Sequence, residues 1–276
     1  MINEPHMHPG QVSRLFEVPE LNYRIVSIEA GNSPGGAWLD DVQNPRTAFV
    51  WDGAHCLYFG GDADNEAFNH ALTTLLTGTL LPDVRQRVLS ILKLHVTSED
   101  WTPVLETAFH SVQLQRRRRV LYGIQASADL LRAPDALQDG LSLRRIDSDL
   151  LAHTGLQNLD AMRAEIDSGW PSPERFLSEG IGYCVHHETD GIVAWCTAEY
   201  VSAGVCGVGI ETLEAYQVHG LATAMASAFV REASARGLWV WWDSWLTNMP
   251  SVRVAEKTGF QKVCEYDAWL LMTPRD

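Results

Sequence analysis

The segment YQVHGLATA, residues 216–224, combines residue types that bind anions through the backbone. An apolar, β-branched stretch precedes the segment, and an alanine-rich helical pattern follows it directly. Gly220 allows turn conformations that other residues rarely adopt, and the first amides of a helix are free to bind a negative group. The segment therefore predicts a phosphate site at a helix start, although an ordinary strand-to-helix connection shows the same pattern.

Two common nucleotide-binding motifs are absent from the sequence. Neither Gly-Lys-Ser nor Gly-Lys-Thr follows Gly220, so the segment is not a P-loop. No Gly-x-Gly-x-x-Gly is present, which excludes the dinucleotide fingerprint. A pyrophosphate held by backbone amides is therefore favoured over a nucleoside triphosphate.

Two carboxylates lie close to this segment in the predicted sheet. Glu211 directly precedes the loop, and Glu199 lies on the neighbouring predicted strand. Such a carboxylate accepts a proton in general base catalysis, and Glu211 is the first candidate because it is nearer the loop. Solvated or salt-bridged carboxylates on strands look the same in a sequence, so both interpretations stay open at this point.

A tryptophan-rich segment follows the predicted helix. LWVWWDSW, residues 238–245, places Trp239, Trp241 and Asp243 on one face of a strand. Large aromatic side chains usually fill protein cores, which is the first interpretation. In the alternative, one or two rings line an acceptor cleft in which Asp243 holds an ammonium group.

Patterning along the chain predicts an α+β protein with two domains. A mixed segment around Pro134 reads as a linker and sets the predicted bounds at residues 1–130 and 138–276. The second domain contains a strand, two helices, three strands, a helix at residues 220–235, and then a strand, a helix and a strand. This order predicts a mixed, mainly antiparallel sheet flanked by helices.

The first domain is predicted as a smaller α+β arrangement. Two strands joined by Asp52-Gly53 precede three helical patterns, which begin at Asn65, Leu81 and Glu99. The second of these helices is expected to run through the segment LPDVRQRVLSILKLH. A strand ending near residue 123 closes the domain.

Composition restricts the class of partner. The formal net charge of -14 disfavours nucleic acid as a partner, because that binding rests on clustered Lys and Arg. The five cysteines show no CxxC pairing, so neither a zinc site nor a disulfide framework is expected, and no metal is predicted. The start of the chain has no signal-peptide profile and no segment is apolar enough for a membrane span, so a cytoplasmic protein is expected.

Two motifs resemble those of the GCN5-related N-acetyltransferases (GNAT). Gln217, Gly220 and Ala222 resemble the Q/R-x-x-G-x-G/A loop of that superfamily, whose backbone amides bind the coenzyme A pyrophosphate. The segment NMPSVRVAEKTGF, from Asn248 to Phe260, resembles its Asn-containing helix and closing Gly-Phe. More narrowly, both halves of the chain resemble a two-part acetyltransferase family that includes a zwittermicin-resistance enzyme.

The resemblance implies a GNAT fold for the C-terminal domain and acetyl-CoA as co-substrate. It implies direct transfer of the acetyl group to a primary amine, with a small molecule as the expected acceptor, and leaves the identity of that acceptor and the oligomeric state open. The residues implied to contact the coenzyme are Ile210, Thr212, Leu213, Gln217, Val218, His219, Gly220, Leu221, Ala222, Thr223, Asn248 and Ser251.

The catalytic residues expected on this basis are Glu211, Glu199 and Ser251. Many relatives carry a Tyr as general acid at the position of Ala255, so that role does not carry over. Ser251, which lies one helical turn after Asn248, is a substitute donor or else a helix-capping residue. The alternative function is an acyl-CoA-binding sensor or interaction module without efficient turnover.

Overall fold

A computed structural model describes residues 10–86, 91–110, 112–125, 137–202 and 204–272. The chain forms two compact units, which comprise Met1–Arg119 with Tyr266–Asp276, and Val120–Glu265. The linker predicted between residues 130 and 138 lies almost entirely outside the described residues. The domain bounds inferred from the sequence therefore stay a prediction.

The first unit contains a sheet and helices that cover it. Its elements are α1 (Pro19–Glu29), β1 (Gly36–Leu39), β2 (Thr47–Trp51), β3 (Cys56–Gly61), α2 (Glu66–Leu75), α3 (Leu81–Gln86), β4 (Ile91–Val96), α4 (Thr102–Ala108) and the first part of β5 (Gln113–Ile124). A π-helical turn, Leu76–Leu80, joins α2 to α3. β3 and β4 are parallel, β1, β2 and β3 pair antiparallel, and β4 pairs antiparallel with β11 (Gln261–Met272).

Two elements of this unit test the secondary structure predicted from the sequence. The helix expected through residues 81–95 ends at Gln86, and Ile91–Val96 is a strand, so that prediction was wrong. Leu92 and Leu94 are fully buried and lie two residues apart, on one face of that strand. The buried side chains of this segment therefore follow the two-residue period of a strand and not the period of a helix. The hairpin turn at Asp52-Gly53 is confirmed, with Gly53 at a φ of 77°.

The second unit contains the remaining elements. They are β6 (Leu141–Arg145), α5 (Ser148–Ala152), α6 (Leu159–Gly169), α7 (Pro173–Glu179), β7 (Gly182–His187), β8 (Gly191–Ser202), β9 (Val205–Thr212), α8 (Leu221–Ala235), β10 (Trp239–Trp245) and α9 (Met249–Lys257). The strand order is β5-β10-β9-β8-β7-β6. β9 and β10 are parallel, whereas β6 to β9 pair antiparallel, so the predicted α+β class with a mixed, mainly antiparallel sheet is confirmed.

The pairing register assigns side chains to two faces of this sheet. Trp195 lies opposite Glu211, and Glu199 lies opposite Gly207, so these residues share one face. Helix α6 packs against β8, and its Glu165 is near enough to Glu211 to raise the pKa of that carboxyl; we call this face the α6 face. The other face, here the α8 face, carries the side chains that pack under α8.

The α8 face is fixed by a polar contact and an apolar core. Tyr183 donates its hydroxyl to Glu232 of α8 over 2.8 Å, and Arg145 donates to both oxygens of the same carboxylate. Around this contact the core contains the fully buried residues Cys196, Cys206, Met225 and Phe229. The helix that begins at the predicted anion loop is thus held firmly against the sheet.

Candidate active site

A split in the sheet lies between β9 and β10. In the described residues their parallel ladder joins Trp239 to Val205, Val240 to Cys206 and Trp241 to Gly207, and it extends no further. Both strands nevertheless continue, β9 to Thr212 and β10 to Trp245. In this described region the two strands are therefore unpaired with each other beyond Trp241 and Gly207, and we call the space between their ends the cleft.

Backbone amides of β9 face this cleft. Leu213 donates its N–H to the Val193 carbonyl of β8, over 3.0 Å. Because successive residues of a strand direct their amides to opposite edges, Ile210 and Thr212 direct theirs away from β8 and toward β10. Of the strand residues predicted to contact the coenzyme, these two have amides at the cleft edge, and the Leu213 amide is already bonded within the sheet.

The loop after β9 presents a continuous run of amides. Within the described residues, no backbone carbonyl accepts from any N–H between Val218 and Thr223, and the first amide bonded within α8 is that of Ala224, to Gly220. Val218 and Gly220 both have positive φ, 68° and 78°, and successive backbone amides in such turns often line an anion-binding concavity. Six amides without a backbone acceptor in the described part of the chain thus lie at the positive end of a 15-residue helix, an arrangement that suits an anion.

Side chains hold this loop in place. Gln217 donates from Nε2 to the Thr212 carbonyl over 3.2 Å, which ties the loop to the end of β9. Tyr216 donates its hydroxyl to Asp190 of the β7–β8 turn. Leu221 is buried in the core at 2% exposure, whereas His219 is exposed. Gln217 and Leu221 thus anchor the loop, whose amides from Val218 to Thr223 have no backbone acceptor among the described residues.

Gly220 is needed for its backbone conformation and not for lack of space in the protein. A Cβ at Gly220 would meet no protein atom within 4 Å, so no protein contact requires a glycine here. Its φ of 78° lies in the left-handed region, which side chains other than glycine rarely adopt. Glycine at this position therefore permits the turn that exposes the amides and leaves the surface above them open. Ala222, in the first helical turn, adds only a methyl group there.

The predicted carboxylates lie together on the α6 face. Glu211 is largely exposed, but partial burial of its carboxyl raises the pKa above the ordinary value, and the negative charge of Glu165 raises that pKa further. The Glu199 carboxylate lies over Gly209, where a Cβ would come within 2.3 Å of Oε1. The missing side chain at Gly209 thus makes room for Glu199 beside the cleft.

The tryptophan segment is divided between the two faces. Trp242 and Ser244 are buried at 2% and 5% exposure on the α8 face, so this part is core. Trp239, Trp241 and Asp243 share the α6 face with Gly207 and are half-buried. The rings of Trp239 and Trp241 contact each other, with centroids 5.4 Å apart. Aromatic and acidic side chains therefore lie on the same face of the sheet beside the cleft.

The start of α9 carries the remaining candidates on the α8 face. Asn248 caps the helix, because its Oδ1 accepts from the Ser251 amide over 3.4 Å. The Nδ2 group of the same side chain takes no part in this hydrogen bond. Ser251 is therefore not the capping residue. Its Oγ accepts from the indole N–H of Trp242 over 3.0 Å. Tyr122 donates to Glu256 and fixes the helix further along.

Comparison with known proteins shows to which family the chain belongs. A family model described as GNAT acetyltransferase matches residues 13–269. The chain belongs to the GNAT acetyltransferase family. It is therefore an acyltransferase, and the membership predicted from the two GNAT motifs is confirmed. The family implies acetyl-CoA as co-substrate.

Individual relatives agree with this assignment. An uncharacterized N-acetyltransferase, YdfB of Bacillus subtilis (strain 168), is 27% identical over 242 residues, which cover 88% of this chain and 87% of that protein. A GNAT-like protein from Streptococcus suis 89/1591 superposes with a TM-score of 0.69 at 19% identity, covering 94% of this chain and 96% of the other. A tandem GNAT protein from the clavulanic acid biosynthesis pathway gives a TM-score of 0.57 at 11% identity, covering 99% of each chain. The predicted GNAT fold is thereby confirmed.

Metal clusters and membrane spans are both absent from the described part of this GNAT chain. Among those residues, no group of three or more His, Cys, Asp or Glu side chains is arranged to hold a metal ion. None of the helices described has the length and hydrophobicity of a membrane span.

Two residues of the site were not singled out from the sequence. Glu165 lies in a helix whose charged residues all look alike in the sequence, and only the fold brings it near Glu211. Trp242 reads as one of several core aromatics in its strand. Its contact with Ser251 joins β10 to α9, and no local pattern reveals that contact.

Proposed function

We propose that the protein transfers the acetyl group of acetyl-CoA to a primary amine of a small molecule by direct attack. The observation that carries this proposal is the split between β9 and β10, with the run of free amides at one end and Glu211 at its side. GNAT membership supports the same reaction class. The identity of the acetyl donor and the chemical class of the acceptor are proposed from the geometry of the site.

Acetyl-CoA is proposed to bind through backbone amides. The amides from Val218 to Thr223 suit the pyrophosphate, because they combine hydrogen-bond donors with the helix dipole and leave space above Gly220. The Ile210 and Thr212 amides suit the pantetheine and the thioester carbonyl, whose oxygen gains negative charge as the amine attacks. Asn248 adds a side-chain amide at the far side of the cleft.

The amine is proposed to approach from the α6 face. Attack on the thioester requires the neutral amine, so a base must take its proton. Glu211 is the proposed base, acting directly or through one water, and Glu199 lies on the same face beside it. Carboxylates and tryptophan rings on that face attract ammonium groups, and the net charge of -14 draws cations to the protein generally.

An acceptor screen tests this function directly. The protein is incubated with acetyl-CoA and a panel of polyamines, aminoglycosides and other primary amines, and release of the free thiol is measured. We expect thiol release that depends on the amine, with an acetylated product of the matching mass. Binding of acetyl-CoA without amine-dependent release across the panel would contradict the proposal and favour the acyl-CoA-binding module.

The pH dependence of the reaction should report the environment of Glu211. The base acts when it is deprotonated, so kcat/KM should fall as the pH drops through its raised pKa. Removing the negative charge in Glu165→Gln should lower that pKa and shift the acid limb to lower pH. The control is Glu214→Gln, which removes an exposed carboxylate near the loop. Superimposable acid limbs for wild type and Glu165→Gln would contradict the assignment.

A further inference from the structure

The side chain of Trp242 is held rigidly beneath α9. It is 2% exposed, and its ring packs edge-on against Phe260, with centroids 5.5 Å apart and planes at 66°. Its indole N–H donates to Ser251 Oγ over 3.0 Å. Because the ring is enclosed by the core, this donor keeps its direction.

The hydrogen bond from Trp242 leaves the Ser251 hydroxyl proton available for donation. A serine hydroxyl has one proton to donate and two lone pairs, and the indole N–H occupies one lone pair. Among the described residues, Trp242 is the one hydrogen-bond partner of the Ser251 hydroxyl, and the Ser251 backbone amide donates to Asn248 Oδ1. The residue is half-buried beside the split in the sheet, so a ligand there can accept the proton.

The next turn of the helix places only a small side chain near Ser251. Ala255 lies four residues later on the same helix face. Side chains on a helix lean toward its N-terminus, so a long side chain at position 255 would cover Ser251. Ala255 has only a methyl group, which is fully buried in the core, so the side chain at position 255 does not reach the Ser251 hydroxyl.

We propose that Trp242 is a positioning residue that holds the Ser251 hydroxyl as the proton donor to the departing sulfur of coenzyme A. This inference rests on the proposed function. As the new nitrogen–carbon bond forms and the carbon–sulfur bond breaks, the electron pair of that bond passes to sulfur. The Ser251 hydroxyl donates its proton to the sulfur while Oγ takes a proton from water in the same step, so no alkoxide is formed, and Glu211 passes the proton of the amine to water. The indole N–H donates to Oγ throughout this transfer and keeps the hydroxyl oriented toward the sulfur.

Kinetics of two variants and their combination test this arrangement. Trp242→Phe keeps most of the packing and removes the donor, so kcat should fall about tenfold with KM for acetyl-CoA within about twofold. Ser251→Ala should lower kcat at least as much. If Trp242 acts through Ser251, the double variant should be no slower than Ser251→Ala alone. Trp51→Phe is the control, since it removes an indole hydrogen bond, to the Ala54 carbonyl, in the first unit.

Binding of the product provides a readout that does not depend on turnover. A hydroxyl that donates to sulfur favours the thiolate, so coenzyme A should bind wild type more tightly as the pH rises, whereas desulfo-coenzyme A should not. This pH dependence, measured by calorimetry, should be weaker in both single variants. Folding of each variant is checked by its circular dichroism and melting temperature.

The outcomes separate this inference from the proposed function. Amine-dependent thiol release by wild type together with an unchanged kcat in folded Trp242→Phe would overturn the role of Trp242 alone. Multiplicative losses in the double variant would overturn it too, because they would mean that Trp242 and Ser251 act independently. Absence of thiol release by wild type would contradict the proposed function itself.

Discussion

Replacement of Glu211 by Gln is expected to lower kcat by about 10²- to 10⁴-fold, the usual contribution of a general base. The change keeps the shape of the side chain and removes its ability to take the proton of the amine. Affinity for acetyl-CoA, measured by calorimetry, should change little, because the proposed coenzyme contacts come from amides on the other edge of β9. Loss of turnover with retained binding would thus locate the defect in the chemical step.

Two further carboxylate variants show whether the effect is specific. Glu199→Gln tests the alternative base on the same face. Glu214→Gln removes an exposed carboxylate that is only three residues from Glu211 in the chain. We expect the largest fall in kcat for Glu211→Gln, a smaller fall for Glu199→Gln, and no change for Glu214→Gln. A larger loss for Glu199 would transfer the role of base to that residue.

Replacement of Gly220 by Val should weaken acetyl-CoA binding by about 10- to 150-fold, which corresponds to the loss of one charge-assisted hydrogen bond. Valine strongly disfavours the φ of 78° at this position, so the loop must rearrange and its amides no longer converge. Its side chain would also enter the open space where the phosphates are proposed to lie. The dissociation constant is measured by calorimetry on the folded variant.

Gly237 provides a matched control for this substitution. It has a φ of 71°, and a Cβ there would also meet no protein atom within 4 Å, but it lies at the opposite end of α8. Gly237→Val therefore imposes similar strain on the same helix without touching the loop. We expect comparable losses of melting temperature for the two variants and a weaker coenzyme affinity only for Gly220→Val. Equal affinities would show that the loop does not bind the coenzyme.

Much of the second unit could be predicted from its sequence. The helix after Gly220 and the strand–helix–strand order after it follow from strong local patterns, and the structure confirms them. In the first unit, weak or ambiguous sequence patterns led to a wrong prediction for one strand and to a missed helix. Ile91–Val96 continues an apolar run that suits a helix or a strand, and only burial between neighbouring strands decides between them. Helix α1 was missed, although Pro19 at its first position is a start signal.

The arrangement of the site depends on pairing that the sequence does not specify. That Glu199 and Glu211 share a face follows from the register of β8 against β9, which shifts between Glu199 and Ser202. A shift of one residue would move a carboxylate to the other face. The same register assigns the Leu213 amide to β8 and the Thr212 amide to the cleft. Contacts of this kind are tertiary, so local patterns predicted the residues of the site but not their directions.

The most direct test of the account is a crystal structure of the protein grown with coenzyme A. The account predicts that the pyrophosphate oxygens accept from amides between Val218 and Thr223, with the pantetheine running between β9 and β10 toward Ser251. Density for the coenzyme elsewhere in the protein, with this loop and cleft empty, would contradict it.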